Sequence, residues 1–138
     1  MIERYTNERM GQLWSELNIK TLWMKVELAA LWAKEQLGLA PTGVYEAAGK
    51  VQITENVLAA AAEYEKTKDH DLIAFVTAVA DLLDDFVKAF FHIGLTSYCV
   101  EDTALALAIR ENSRIILGRL ASLITVLRRR ANEHRFTV

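Results

Sequence analysis

The chain has 138 residues, of which 52% are hydrophobic, and sixteen basic against eighteen acidic side chains give it a formal net charge of −2. That length supports one core burying roughly two thirds of the unfolded surface, while the acidic balance argues against a binder of nucleic-acid backbones, which needs a basic face. No apolar run lacks charge for the ~20 residues a membrane span requires. The start Met1-Ile2-Glu3-Arg4-Tyr5 has no apolar signal region, and Cys99 is the only cysteine, so a soluble cytoplasmic protein without an intrachain disulfide is expected.

One proline and six glycines favour long helices over a turn-rich β fold. In chain order, Met1 to Tyr5 read as extended, and Thr6 is placed to cap a short helix over residues 7–13. Ser15 caps a longer helix that runs to Leu37, where Gly38 and then Pro41 stop it. Leu22, Val26, Ala29 or Ala30, Ala33 and Leu37 form one stripe of that helix. Trp23 and Trp32, nine residues apart, fall on opposite sides, so the helix is expected to be wedged between two neighbours. Thr42 caps a short helix ending near Gly49. Thr54 caps another over residues 55–66, with Val57, Leu58, Ala61 and Ala62 as its apolar face.

A densely polar junction, Thr67-Lys68-Asp69-His70-Asp71, precedes an apolar helix through Val79, Leu82 and Leu83, and a bend is expected near Asp84-Asp85. From Ser97 to about His134 there is no proline. Leu105, Ile109, Ile116, Leu120, Leu123 and Leu127 make one stripe, and Val100, Ala104, Leu107, Leu117, Ala121 and Ile124 a second. Two stripes predict burial on more than one side. A helix of this length reaches roughly 50 Å, longer than a compact domain of this size needs, so it is expected to find partners outside its own chain. The Arg128-Arg129-Arg130 run suits the negative end of its dipole. Nothing reads as a strand, and the expected fold is all-α.

Chemistry concentrates at two junctions. Gly94 permits a sharp turn before Thr96 and Ser97, Ser97 is the expected N-cap, and Glu101 and Asp102 are favourable near the helix's positive end. Adjacent hydroxyls beside unbonded backbone N–H groups are the makeup of a carboxylate or phosphate site, though a plain capped helix explains them too. His70, between two aspartates, suits an acid, a base or a donor to a substrate anion; a surface histidine near a helix cap is the simpler alternative. His92 faces the same choice. No histidine has ligand-like spacing to cysteine or carboxylate, so no metal site is expected, and there is no phosphate-cradling glycine loop.

The start Met1-Ile2-Glu3-Arg4-Tyr5, the junction His70-Asp71 followed by Ala74-Phe75, the tract His92-Ile93-Gly94-Leu95-Thr96-Ser97 with Asp102-Thr103-Ala104-Leu105, and the end Ala131-Asn132-Glu133-His134-Arg135-Phe136-Thr137-Val138 resemble, in order and spacing, the adenylosuccinate lyase family. Gly94 to Ser97 with Asp102 to Leu105 is the most specific part. The resemblance implies the fumarase/aspartase superfamily: an all-α homotetramer without a cofactor, built around a central helical bundle. Residues 1–95 would be a helical N-terminal domain and residues 96–138 the start of the first bundle helix. It also implies a purine-biosynthesis lyase that eliminates fumarate from adenylosuccinate to leave AMP, and from the related succinyl-carboxamide ribonucleotide.

By that similarity His70 is the catalytic candidate, Arg4 and Tyr5 contact the nucleotide, and Asp71, Thr96 and Ser97 hold the substrate. The family often has arginine or asparagine before the histidine. Here Asp69 stands there, and Lys68 is the neighbouring candidate for the anion contact. In the family the final tract leads into a threonine-histidine-glycine segment with a catalytic histidine, and later into a serine loop that supplies the base. Both lie beyond Val138, so the expectation is an N-terminal piece, inactive alone. The competing expectations are another superfamily lyase, such as one acting on argininosuccinate, and a non-catalytic helical assembly module.

Overall fold

The computed structural model describes residues 3–138, the side chain of Glu3 excepted, and among them there is no strand. A 3-10 turn, Glu3–Tyr5, leads into seven helices: α1 (Glu8–Leu13), α2 (Glu16–Gln36), α3 (Val44–Ala48), α4 (Glu55–Lys68), α5 (Asp71–Ala80), α6 (Asp85–Lys88) and α7 (Ser97–Glu133). The all-α expectation holds. The extended start does not: residues 3–5 are helical, and Met1 and Ile2 lie outside the described residues.

Several caps differ from those expected, each for a local reason. Asn7 rather than Thr6 caps α1, its Oδ1 accepting from the Met10 N–H at 3.2 Å, and asparagine is the stronger capping residue. Gly43 rather than Thr42 opens α3, because the backbone there is left-handed (φ 98°); the missing side-chain cap is supplied by Glu35 of α2, whose Oε1 accepts from the Tyr45 N–H at 2.6 Å. Ser15 caps α2 as expected, accepting from the Asn18 N–H, and Gly38 (φ 69°) ends it. Helix α4 continues through Lys68, so the polar junction before α5 narrows to Asp69 and His70. Asp81 closes α5 and Asp84 starts α6, which puts the expected bend in place.

The core gathers α2, the α4–α5 hairpin and the first turns of α7 around Trp23, Leu31, Leu72, Phe75, Val79, Val100 and Ala104. Phe75 packs edge-on against Trp23, ring centroids 5.5 Å apart. On α2 the buried line is Trp23, Met24, Glu27 and Leu31, one position round from the expected stripe, and Leu37 is exposed. A charged residue inside the buried line breaks the apolar pattern that sequence periodicity detects. The wedged-helix expectation also fails. Trp23 is 6% exposed but Trp32 is 53% exposed, so only one side of α2 is packed within the chain.

Helix α7 shows the same asymmetry. Val100, Ala104 and Ala108, four residues apart, form its only buried line among the described residues, and their small side chains let α7 lie close against α2. The stripe through Leu105, Ile109, Ile116, Leu120, Leu123 and Leu127 is exposed, as are Leu117 and Ile124. Burial on two sides is therefore not achieved within one chain, because the rod, about 55 Å long, outruns the domain it starts from.

Candidate functional site

Two non-glycine turns shape the site. Asp69 ends α4 in the left-handed conformation (φ 49°), and His70 then takes the N-cap position of α5 with an extended backbone. The His70 Nδ1 accepts from the Ile73 N–H at 3.5 Å. The Asp71 carboxylate accepts from the Leu72 N–H at 2.7 Å and stands 3.6 Å from the His70 Nδ1. At the second junction, His92 (φ 59°) and Gly94 (φ 78°) turn the chain into α7. Thr96, not Ser97, occupies the N-cap position, and its side chain makes no cap bond.

Ser97 is freed by that shift to reach across the molecule. Its Oγ lies 3.0 Å from the Nε2 of His70, a residue 27 positions away in sequence. Since Nδ1 accepts from the backbone, the neutral ring carries its proton on Nε2 and donates to Ser97 Oγ. The arrangement of serine, histidine and aspartate is thus not a hydrolytic triad: an Nε2 that bears the proton takes none from the hydroxyl, and Asp71 is too far from Nδ1 to orient the ring by a hydrogen bond. What the junction presents instead is the Ser97 O–H, held from behind by His70, and the neighbouring Thr96 hydroxyl at a helix N-terminus, a donor set for an anion.

The surrounding charges were not all visible in the sequence. Lys20 of α2 lies over the Trp23 ring, its Nζ 3.4 Å from the centroid, and burial lowers its pKa despite attraction from Asp71, Glu16, Glu65 and Glu101. Glu101 is one turn beyond Ser97 on the same face, deeper in the helix than the first turn, so its value to the dipole is smaller than expected. Burial first, and then Asp71, raise its pKa, while His70 and Lys20 oppose. A four-residue step from Ser97 was the available signal for Glu101; for Lys20 there was none, because only the packing of α2 brings it here.

The raised Glu101 carboxyl has a testable consequence. It binds its proton more tightly folded than unfolded, so its contribution favours folding below the ordinary carboxylate range and is withdrawn as pH rises through the folded value. Glu101→Gln is therefore expected to raise Tm at about pH 8 and to change it little at about pH 4. Equal shifts at both pH values in a thermal melt would contradict this.

The other sequence candidates sit elsewhere. Lys68 and Asp69 are exposed at the end of α4, beside His70. Arg4 stacks its guanidinium 4.9 Å from the Tyr5 ring centroid, and both are exposed. The α1 that follows lies against the middle of α7, where Asn7, Glu8 and Arg9 with Arg114, Gly118 and Arg119 line an open groove of about 530 Å³. From Ser97 to Ile115 the helix rises about 27 Å, so one chain does not bring Arg4 and Tyr5 to His70. His92, by contrast, is held inside: its Nδ1 is 2.6 Å from Oε1 of Glu27, a carboxylate the sequence reading missed.

No family model matches the sequence. Among curated relatives, adenylosuccinate lyase from Aquifex aeolicus is 39% identical over 139 residues, covering 100% of this chain and 32% of its own length. That from Synechocystis is 39% identical over 140 residues, covering 100% of this chain and 31% of its own length. That from Bacillus subtilis is 33% identical over 141 residues, with the same coverage of 100% and 31%. Among solved structures, a fumarate lyase from Mesorhizobium sp. BNC1 shares the fold with TM-score 0.83 at 22% identity, over 94% of this chain and 30% of that one. From end to end the chain is similar to adenylosuccinate lyases, as its junction tracts imply, and it spans about a third of the length of the curated relatives it matches.

Proposed function

We propose that the chain is the N-terminal part of an adenylosuccinate lyase that releases fumarate from adenylosuccinate, leaving AMP, and from the succinyl-carboxamide ribonucleotide. The observation that carries this reading is the 3.0 Å contact of His70 Nε2 with Ser97 Oγ, which joins two of the tracts that resemble the family. In the reaction a base takes the proton beside a succinyl carboxylate, the electron pair forms the new C=C bond, the C–N bond breaks, and an acid protonates the departing nitrogen. The residues of this chain bind and orient. The Thr96 and Ser97 hydroxyls, the latter held by the His70 N–H, face the carboxylate whose charge builds during proton removal, where fixed donors lower the barrier most. Lys68, Asp69 and Asp71 lie beside His70 at the α4–α5 junction and border the substrate there, and Arg4 and Tyr5 of another copy in the assembly take the nucleotide, arginine offering a bidentate fork to phosphate.

In this reading residues 1–95 are a helical N-terminal domain and residues 96–138 begin the bundle helix of a soluble cytoplasmic homotetramer. No helix of the described residues is long and apolar enough to cross a membrane. The test supplies the rest of a relative's length. Alone, the chain is expected to release no fumarate. Co-expressed with the remaining two thirds of the Aquifex aeolicus relative, it is expected to restore turnover of adenylosuccinate, and His70→Ala in this chain to lower kcat/KM by about 100-fold or more. Turnover of argininosuccinate instead assigns the alternative lyase. Failure to complement either reaction, with stable assembly of the two polypeptides, assigns a helical assembly module, and turnover by the chain alone refutes the fragment reading.

A further inference from the structure

The burial of Glu27 has no explanation in packing. It is 0% exposed in the line Trp23, Met24, Glu27, Leu31, where an aliphatic side chain would complete the core without desolvating a charge. Its Oε1 is 2.6 Å from the His92 Nδ1, while Oε2 is buried with no partner. A half-satisfied buried carboxylate costs stability, and burial accordingly raises its pKa, with His92 and Lys34 opposing.

What that cost obtains is control of one turn. His92 stands in the left-handed region at φ 59° and Gly94 at φ 78°, a turn that glycine adopts freely but that a residue with a side chain, such as His92, rarely does. For a side-chain-bearing residue such a conformation persists only if its surroundings hold it. Two turns along α2 from Glu27, Lys34 donates from Nζ to the Phe90 carbonyl at 3.1 Å. Helix α2 thus grips the segment leading into α7 at Phe90 and at His92, five residues before Ser97. The Leu95 N–H donates to the His92 carbonyl at 3.3 Å, which passes the placement of His92 directly to the turn that carries the hydroxyls.

We infer that Glu27 is a positioning residue: by accepting from His92 Nδ1 it sets the turn that delivers Ser97 to His70. With Glu27 as acceptor the Nδ1 keeps its proton whether the ring is neutral or charged, so the tether persists through either state. Its importance to turnover rests on the lyase reading; the positioning itself does not.

The test reads the His70 ring rather than activity, so that failure of one idea leaves the other standing. In the 138-residue chain labelled with 15N-histidine, Ser97→Ala gives the His70 Nε2 shift for a broken contact. Glu27→Leu, which keeps the volume but removes the acceptor, is expected to reproduce that shift and to abolish the His92 Nδ1–H signal, with helical content retained. Glu27→Gln, which keeps an acceptor oxygen, is expected to preserve both signals. His92→Gly adopts the left-handed turn without strain but loses the tether, and is expected to displace the His70 signal as Ser97→Ala does. A folded Glu27→Leu or His92→Gly chain with the His70 signal unmoved overturns the inference. So does unfolding of Glu27→Gln, because a bond that positions one turn does not take the whole core with it.

Discussion

Phe75→Ala is expected to destabilise the chain by about 3–5 kcal/mol, the usual cost of emptying a buried aromatic site. Phe75 is fully buried at the centre of the core, packs edge-on against Trp23, and lies beneath Lys20, whose Nζ is 5.9 Å from its centroid. Its loss therefore removes apolar burial, an aromatic pair and part of the surface on which a site lysine rests. Against a total stability of about 5–15 kcal/mol for a domain of this kind, a fall in Tm of roughly 10–20 °C follows. Trp32→Ala is the control. That ring is larger but half exposed, and its removal is expected to cost under about 1 kcal/mol. Comparable losses from the two substitutions in a denaturant titration would mean that α2 is packed on both sides after all.

Replacing Leu120, Leu123 and Leu127 together by glutamate is expected to convert an associated species into a monomer of 15.6 kDa. All three are exposed on the half of α7 that extends past the core, together with Leu117, Ile116 and Ile124, and an exposed apolar surface of that extent marks an association face. Each leucine is about half exposed in the single chain, so its loss forfeits about 1 kcal/mol of association, roughly 3 kcal/mol per subunit or about two decades in Kd. Because the substituted residues make no part of the core, helical content and Tm of the monomer are expected to persist. Light scattering decides it: a wild-type chain that is already monomeric at high concentration removes the basis for the homotetramer proposed above.

How legible each feature was depended on the range of the interaction behind it. Helix existence, the Ser15 cap and the Gly38 stop are set by residues within one turn of each other, so they stand as read. Where a neighbour competes for the same role, the local reading slipped by one: Asn7 displaced Thr6, and the left-handed backbone at position 43 required glycine rather than Thr42. At α7 the slip had consequences. With Thr96 in the cap position, the Ser97 hydroxyl is committed to His70 instead of its own helix end.

Sequence alone determined that the chain is helical, where its polar junctions fall, and that the last helix is too long for one domain, because period, capping and composition act over a few residues. Only the tertiary structure decided that His70 meets Ser97, that Lys20 and Glu101 flank them, that Trp32 faces water, and that Glu27 is buried beneath His92. Those outcomes depend on how α2 rotates against α5 and α7. That rotation is chosen by the summed packing of the whole core, which tolerates one carboxylate in an apolar line and leaves no local trace of the choice.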